Sequence, residues 1–439
     1  MTKRYHLQSG KSGLSLFAFL LFLQISPLCS AQNIDAIINA KEVERIEKIL
    51  SSDEMQGRKS FSPGLERAAD FISGEFKAAG INPLMQGNSF LQTFNMVKAN
   101  TLSSEGKVDG KDIDPKNIIV LTSQEELNVN NKAGYVKKLI RAGDNFRGEV
   151  SKYLQSDSDL LIVLDTSFSK NFPRLNGLKG QQFKSKHSTI FLLYAVDPKE
   201  FEFHVKTQIT ESTLSNVVGM IPGKGRKNEY VIFSAHYDHL GIGKPNAQGD
   251  SIYNGANDDA SGTTAVIMLA KYFAQLRNNE RTLIFAAFAA EEIGGFGSQY
   301  FSKQLDPAQT AAMINIEMIG TESKWGRNSA YMTGYERTDM GKIMQKNLEG
   351  SKFSFYADPY PEQHLFFRSD NATLARQGVP ACSFSTSKMD SEKYYHTVDD
   401  EIETLDMNNM AEIIKAFAIG SASIISGKDS PSRVDTKDL

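Results

Sequence analysis

The chain has 439 residues, of which 40% are hydrophobic and 23% are charged, and its formal net charge is −3. These proportions are typical of a soluble globular protein of one or two domains. A chain so close to electrical neutrality lacks the basic excess that nucleic-acid binding requires, so we expect no nucleic-acid partner.

The first 31 residues have the composition of a secretory signal peptide. They contain basic residues, then an apolar run, then small residues: Lys3, Arg4 and Lys11, residues 14–23, and Cys29, Ser30 and Ala31. We therefore expect cleavage after Ala31 and a secreted or periplasmic protein. A lipoprotein linked through Cys29 is a weaker alternative, because Pro27 and Leu28 stand where small residues are needed. An uncleaved anchor is also open, although the apolar run is shorter than the roughly 20 residues of a membrane span.

Cleavage would leave Cys382 as the single cysteine of the mature chain. Export permits disulfides, but one cysteine cannot form an intramolecular one. We therefore expect the fold to depend on core packing and on any bound metal.

The predicted elements begin with two helical blocks between residues 40 and 79, separated by the turn-rich segment DEMQGRKSFSPG. From residue 228 onward, apolar strands alternate with amphipathic helices. In chain order we predict a strand at 230–235, a helix at 261–276, a strand at 281–290, a helix at 297–304, a strand at 311–318 and a closing helix at 411–425. This alternation predicts an α/β fold whose central sheet is mostly parallel or mixed, with helices on both faces.

Residues 95–212 follow a different pattern and are richer in Lys, Asn, Ser and Asp. Strands are predicted there at 117–121, 159–164 and 188–194, and a helix at 147–154. We interpret this stretch as a smaller inserted α/β lobe, which divides the main domain into residues 32–94 and 213–427. The polar end, residues 428–439, is predicted to be a disordered tail.

The clearest functional signal is a set of five residues whose side chains can bind metal. They are His236 in AHYDHLG, Asp258 in NGANDDASG, Glu292 in AAEEIGG, Glu317 in INIEMIG and His396 in KYYHTVDD. Zinc accepts imidazole nitrogen and carboxylate oxygen, and two Zn²⁺ ions with three carboxylates need one hydroxide for neutrality. Three of the five follow predicted strands, at the edge where open α/β sheets bind ligands. The sequence therefore predicts a site for two zinc ions.

Three neighbouring residues have predicted roles at the same site. Asp238 is expected to orient the imidazole of His236, because a ligating histidine commonly has a carboxylate on its other nitrogen. Glu291 is expected to act as the general base that takes a proton from metal-bound water. His239, in the same loop as His236, is a rival ligand.

Each motif also has an interpretation that involves no metal. A single histidine is more often a structural hydrogen-bonding residue, and Asp258 could simply cap the helix that follows it. Glu291 and Glu292 could be a solvated pair on a loop. Glu317, at the end of an apolar strand, needs a cation nearby, and a lysine or arginine would suffice.

The motifs, in this order and spacing, resemble the co-catalytic dizinc exopeptidases, which include bacterial leucyl aminopeptidases, aminopeptidase Y and plasma glutamate carboxypeptidase. The resemblance covers residues 40–90 and 215–426, and its motifs are DEMQGR, HYDHLG, GANDDASG, AAEEIGGFGS, FFRSDNATLARQGVPA and YYHTVDD. It implies that one zinc is bound by His236 and Glu317, the other by Glu292 and His396, with Asp258 bridging them. It also implies that Glu291 is the base and that the inserted lobe corresponds to the protease-associated lobe of some members.

Two positions depart from the family pattern. Many members have aspartate where this chain has Glu317, so one extra methylene could displace the first zinc or alter specificity. Many also have histidine or another residue at the position of Asn371. Asn371, Ala372 and Thr373 form a glycosylation sequon, which matters only in a host that glycosylates.

The resemblance predicts a secreted zinc metallo-exopeptidase, most simply an aminopeptidase that removes N-terminal residues from peptides through a hydroxide bridging the two metals. Cobalt or manganese could replace zinc. A glutaminyl cyclase with a single zinc is the first alternative, and Asp259 argues against it because cyclases lack this second acid. Carboxypeptidase action stays open, whereas a binding protein on an inactive scaffold is disfavoured because every ligand and Glu291 are present. The chain contains neither HExxH nor GxSxG.

Overall fold

The computed structural model describes residue 1 and residues 34–85, 87–154 and 156–437. Apart from Met1, the predicted signal peptide lies outside the described residues, so cleavage and secretion stay predictions. Within the described ranges, no helix has both the length and the apolar character that a membrane crossing requires.

The helices of the described residues lie mainly at the start and in the second half of the chain. They are α1 Ile34–Ile37, α2 Ala40–Leu50, α3 Pro63–Ala79, α4 Phe146–Leu154, α5 Ser261–Leu276, α6 Phe296–Ser302, α7 Met340–Asn347, α8 Asn371–Ala375, α9 Met407–Gly420 and α10 Ala422–Ile425. The two helices predicted before residue 80 correspond to α2 and α3, and the helix predicted at 261–276 is α5.

The strands run through the whole described chain. They are β1 Asn82–Pro83, β2 Leu91–Val108, β3 Lys111–Asp112, β4 Ile118–Leu121, β5 Glu126–Asn130, β6 Val136–Ile140, β7 Leu160–Leu164, β8 Gln181–Phe183, β9 Thr189–Leu193, β10 Phe201–Ile221, β11 Arg226–His236, β12 Gly241–Ile242, β13 Ile252–Tyr253, β14 Arg281–Phe288, β15 Thr310–Ile316, β16 Ser329–Met332, β17 Ser354–Ala357 and β18 Ala381–Ser385.

The large sheet has the strand order β17-β16-β18-β15-β11-β14-β10-β2-β3. Its centre is parallel, because β11 pairs in parallel with both β14 and β15, and β15 pairs in parallel with β18. Antiparallel pairing begins at β10 on one side and at β16 on the other. The prediction of an α/β fold with a mixed central sheet flanked by helices is confirmed.

The burial of the central strands explains why the elements in this half of the chain could be predicted from the sequence. Every residue of β14 is buried, and so is every residue of β11 from Val231 to His236. Strands covered on both sides are continuous apolar runs, and α5 is rich in apolar residues for the same reason, because most of its residues are buried. In this register His236 pairs with Phe288, so the carboxyl ends of β11 and β14 lie side by side.

The inserted region is held by two long strands that the sequence analysis missed. β2 and β10 pair antiparallel from Leu91–Val217 to Val108–Phe201, with one irregularity at Lys206 and Thr207. The second sheet, of order β4-β9-β7-β6, has apolar clusters that include Val120, Leu161 and Phe191. The predicted lobe boundaries at 95 and 212 fall inside β2 and β10, whose backbone hydrogen bonds continue from the large sheet towards the lobe.

The end of the chain differs from the disordered tail predicted for residues 428–439. The side chain of Arg433 donates to the carbonyl of Thr310 at 2.9 Å, and Thr338 donates to the carbonyl of Ser432 at 2.7 Å. Val434 is 4% exposed. Residues 429–434 therefore contact the large domain, and the polar composition of the segment hid this because most of these hydrogen bonds are made by main-chain carbonyls.

Candidate metal centre

His236 is the last residue of β11, and its imidazole faces two carboxylates. Its Nε2 lies 3.2 Å from Oδ1 of Asp258 and 3.3 Å from Oε1 of Glu317. The side chain of His236 is 1% exposed and that of Asp258 is 3% exposed. These three residues can offer donor atoms close enough together to hold one metal ion.

The other oxygen of Asp258 faces a second group of donors. Nε2 of His396 lies 3.2 Å from Oδ2 of Asp258 and 3.2 Å from Oε2 of Glu292. Oδ2 of Asp258 is buried and has no hydrogen-bond partner of acceptable geometry among the described residues. The structure therefore brings all five predicted ligands together, with Asp258 between two donor groups.

The donor set fits divalent cations such as zinc. Three carboxylates and two imidazoles are the ligand types that zinc prefers, and an orphaned buried carboxylate oxygen is costly without a cation. Burial lowers the pKa of His396, but its contacts with Asp258 and Glu292 outweigh that effect and raise the pKa to about 10. The carboxylates thus stabilise positive charge at the position that a metal would take.

The alternative of an amino-acid cation beside Glu317 is not supported. Among the ion pairs of the described residues, none joins Glu317 to a lysine or an arginine, and the basic side chain that it contacts is His236. Ser369 donates to Oε2 of Glu317 at 2.6 Å. The hydroxyl of Ser369 therefore orients one oxygen of Glu317 while the other faces His236.

The capping role proposed for Asp258 belongs to its neighbour. Oδ1 of Asp259 accepts the main-chain N–H of Gly262 at 3.0 Å, in the first turn of α5, and also the N–H of Met318 at 2.9 Å. Asp259 thereby connects the start of α5 to the residue after Glu317. Asp258 is left free to face the two donor groups.

Asp238 acts differently from the prediction. Nδ1 of His236 lies 3.0 Å from the main-chain carbonyl of Asp238 but 3.8 Å from its carboxylate, which is too far for a hydrogen bond. The carboxylate instead accepts the main-chain N–H of Glu291 at 3.0 Å and the hydroxyl of Ser60 at 3.0 Å. Burial raises the pKa of Asp238 to about 6.

Glu291, the predicted base, directly precedes Glu292 in the loop between β14 and α6. Burial raises the pKa of Glu291, and the nearby negative charges of Asp370 and Glu317 raise it further, while His236 opposes them. A carboxyl group in this environment holds a proton more readily than one in water. Glu291 is therefore suited to accept and release a proton.

His239, the rival ligand in the same loop as His236, lies beside two of the proposed ligands. Its Nδ1 lies 2.9 Å from Oε1 of Glu292 and 3.8 Å from Oδ2 of Asp258, and these three residues form a second group able to hold a metal ion. Nε2 of His239 is buried without a hydrogen-bond partner among the described residues. The motif AHYDHLG by itself could not separate the roles of His236 and His239, because the loop conformation decides which carboxylate each imidazole faces.

Asp400 is a supporting residue that the sequence analysis did not identify. Its Oδ1 accepts the N–H of Asn257 at 2.8 Å and its Oδ2 accepts the N–H of Asp258 at 3.0 Å. Burial raises the pKa of Asp400 to about 6. Its presence in KYYHTVDD, four residues after His396, was the available signal.

A small cleft with a volume of about 50 Å³ opens beside Glu317. Its lining combines apolar side chains, hydroxyls and one cation: Met318, Tyr331, Thr333, Leu365, Arg368, Ser369, Ser383, Ser385, Met389 and Tyr395. The cleft adjoins the donor group that contains Glu317.

The fold of this chain is also found in solved zinc aminopeptidases. A zinc aminopeptidase from Bacillus subtilis superposes with a TM-score of 0.52 at 15% identity, covering 89% of this chain and 95% of that one. An aminopeptidase from Aneurinibacillus sp. strain AM-1 superposes with a TM-score of 0.51 at 15% identity, covering 92% of this chain and 98% of that one. At this identity the likeness defines the fold.

Residues 216–419 match the family model described as Peptidase family M28. This segment contains all five predicted metal ligands and Glu291. The resemblance to zinc exopeptidases predicted from the motifs is therefore confirmed over this part of the chain.

Curated relatives match less than half of the chain. A probable leucine aminopeptidase from Trichophyton verrucosum is 29% identical over 209 residues, which are 46% of this chain and 54% of the relative. A probable zinc metalloprotease from Pyrenophora teres f. teres is 33% identical over 132 residues, which are 30% of this chain and 26% of the relative. The chain thus spans about half the length of the leucine aminopeptidase that it matches.

Proposed function

We propose that this protein is a zinc-dependent aminopeptidase with two metal ions. One zinc would be held by His236 and Glu317, the other by Glu292 and His396, with Asp258 between them. The observation that carries this proposal is the position of Asp258, whose two oxygens face separate donor groups at 3.2 Å each. The names of the curated relatives, leucine aminopeptidase and zinc metalloprotease, support the same class of reaction.

The residues around the centre account for the proton transfers of peptide hydrolysis. Zinc, when bound, supplies a Lewis acid that polarises the scissile carbonyl and lowers the pKa of water. Glu291 takes up the proton that water releases and passes it to the amine that leaves. Asp238 fixes the main chain of Glu291 through the hydrogen bond at 3.0 Å, and thereby keeps the base at the site. The side chain of the residue to be removed would occupy the cleft beside Glu317.

Aminopeptidase action is favoured over glutaminyl cyclisation by the second acid of NGANDDASG. Asp259 is present and connects α5 to the strand end that carries Glu317. A peptidase with two metal ions needs two donor groups, and the two oxygens of Asp258, which face different groups, support such a site. Export of the protein, proposed from residues 1–31, would place this activity outside the cytoplasm.

The test compares a short peptide with a free N-terminus and the same peptide N-acetylated, with the Glu291→Gln variant as control. We expect cleavage of the free peptide alone, a loss of roughly 10²–10⁴-fold in the variant, and unchanged zinc content in both proteins. Equal cleavage of both peptides would instead indicate carboxypeptidase or endopeptidase action. No cleavage despite bound zinc would overturn the proposal and favour a cyclase or an inactive scaffold.

A further inference from the structure

Arg58, the last residue of the segment DEMQGR, has a guanidinium group that is fully buried beneath the metal centre. The residue is 0% exposed, and none of the ion pairs found among the described residues involves it. Burying an unpaired cation is costly unless its N–H groups are all hydrogen-bonded. The segments of the chain to which Arg58 is hydrogen-bonded therefore indicate its function.

The guanidinium donates to four main-chain carbonyls. Its Nε donates to Tyr237 at 2.8 Å, its Nη1 to Leu50 at 2.6 Å and Asn254 at 2.6 Å, and its Nη2 to Gly255 at 2.8 Å. These acceptors lie on three separate segments of the chain. A planar group with several fixed donors can hold three segments at defined separations, which a lysine ammonium cannot do.

Two of those segments carry the proposed ligands of both donor groups. Tyr237 directly follows His236, while Asn254 and Gly255 precede Asp258 by four and three residues, respectively. The main chain of Arg58 adds a contact, because its carbonyl accepts the N–H of His239 at 3.2 Å. Arg58 therefore contacts the main chain at two points of the loop that follows His236, and also at the start of the Asp258 loop.

Two glycines in these segments have positive φ angles and lie so close to other main-chain atoms that a side chain would not fit. Gly255 has a φ of +56°, and a Cβ atom there would lie 2.3 Å from the carbonyl oxygen of Asp258. Gly57 has a φ of +61°, and a Cβ atom there would lie 2.5 Å from the carbonyl oxygen of Tyr253. The DEMQGR segment and the Asp258 loop are thus in direct backbone contact, with Arg58 at their junction.

We propose that Arg58 is a positioning residue of the metal centre, which sets the separation of His236 and Asp258 by holding the main chains of their loops. The inference rests on the proposed function, because it requires that these two residues bind metal. Arg58 does not touch the metal or the substrate. Its contribution is to give the donor atoms their geometry before a metal binds.

The test compares Arg58→Lys with Arg281→Lys. Arg281 is a matched control because it is 1% exposed and donates to the carbonyls of Ile424 at 2.7 Å and Asp429 at 2.8 Å, neither of which lies in a ligand loop. The measurement is zinc affinity of the metal-free proteins, by competition with a chromogenic chelator, beside their melting temperatures without metal.

We expect both variants to melt at lower temperature, but only Arg58→Lys to lose zinc affinity, by about 10–100-fold as for other residues that orient metal ligands. Unchanged zinc affinity in Arg58→Lys would overturn the proposal and leave Arg58 a purely structural residue. An equal loss of affinity in Arg281→Lys would also overturn it, because general destabilisation would then explain both results.

A variant that does not fold without metal can still be tested. Folding then depends on zinc, and the zinc concentration at half-folding replaces the affinity measurement, with Arg58→Gln as a second variant. A midpoint at least tenfold above that of Arg281→Lys is expected, and equal midpoints would contradict the proposal. Zinc binding is read independently of peptide cleavage, so wild-type protein that binds zinc but cleaves nothing would contradict the proposed function alone.

Discussion

The carboxylate of Asp400 accepts the main-chain N–H of Asp258 at 3.0 Å, so the segment that contributes His396 also holds the aspartate between the two donor groups. Its other oxygen accepts the N–H of Asn257 at 2.8 Å. A single side chain thus couples the positions of two proposed ligands from distant parts of the sequence. Loss of this coupling should alter metal binding without removing any ligand.

We expect Asp400→Asn to weaken zinc binding by about 10-fold, because an asparagine keeps one acceptor oxygen where two are needed. The matched control is Asp399→Asn, since Asp399 is the adjacent residue and is exposed. Chelator competition on both variants checks the prediction. Equal affinities in the two variants would show that Asp400 does not support the centre.

The two histidines near Glu292 are expected to differ in their effect on metal content. Nε2 of His396 is 3.2 Å from both Asp258 and Glu292, whereas His239 approaches only Glu292 closely, at 2.9 Å. His396→Ala should therefore reduce bound zinc from two ions to one, while His239→Ala should keep two ions with lower affinity. Metal analysis after dialysis decides between them. One ion in His239→Ala and two in His396→Ala would reverse the assignment.

The methylene that Glu317 has in addition to those of an aspartate is expected to affect the rate of peptide cleavage more than the binding of zinc. Oε2 of Glu317 accepts the hydroxyl of Ser369 at 2.6 Å, while Oε1 faces His236 at 3.3 Å. Glu317→Asp shortens the side chain and cannot keep both contacts, so we expect two bound zinc ions and a fall of about 10-fold in kcat/KM. Steady-state kinetics with metal analysis provide the check, and Ser369→Ala should produce a similar but smaller change. Unchanged kinetics in Glu317→Asp would mean that the length of the side chain at this position does not affect catalysis.

Glu47 predicts a pH dependence of stability. It is fully buried in α2, and burial raises its pKa from an ordinary value of 4.5 to about 8, although its hydrogen bond with Thr264 and the charge of Arg58 oppose the increase. The folded protein therefore keeps a proton that the unfolded chain releases, and Glu47 lowers the free energy of unfolding by up to about 1.4 kcal/mol per pH unit between the two values.

Glu47→Gln should remove this loss, so the variant gains stability relative to wild type as the pH rises from about 5 to about 8. Urea unfolding at both pH values checks it, with Glu44→Gln, an exposed position of the same helix, as control. Parallel pH dependences of Glu47→Gln and wild type would contradict a protonated Glu47 in the folded state.

The elements predicted well are those whose burial is a local property of the sequence. β14, β15, the second half of β11 and most of α5 are buried and rich in apolar residues, so short windows reveal them without knowledge of their neighbours. β2 and β10 are long and mostly polar on one face, and their pairing partner lies about a hundred residues away. No short window contains that information, so the two strands that connect the lobe to the large sheet were missed.

The sequence was sufficient to predict the chemistry proposed for the centre. The five proposed ligands and Glu291 each lie in a short motif of their own, and the α/β pattern predicts three of the ligands at strand ends. Tertiary structure alone decided how those side chains are held, because a hydrogen bond depends on where a loop from another part of the chain lies. His236 faces the carbonyl of Asp238 and not its carboxylate, and Arg58 donates to carbonyls of three segments. These contacts are made to main-chain carbonyls, and a main-chain carbonyl is the same in every residue type.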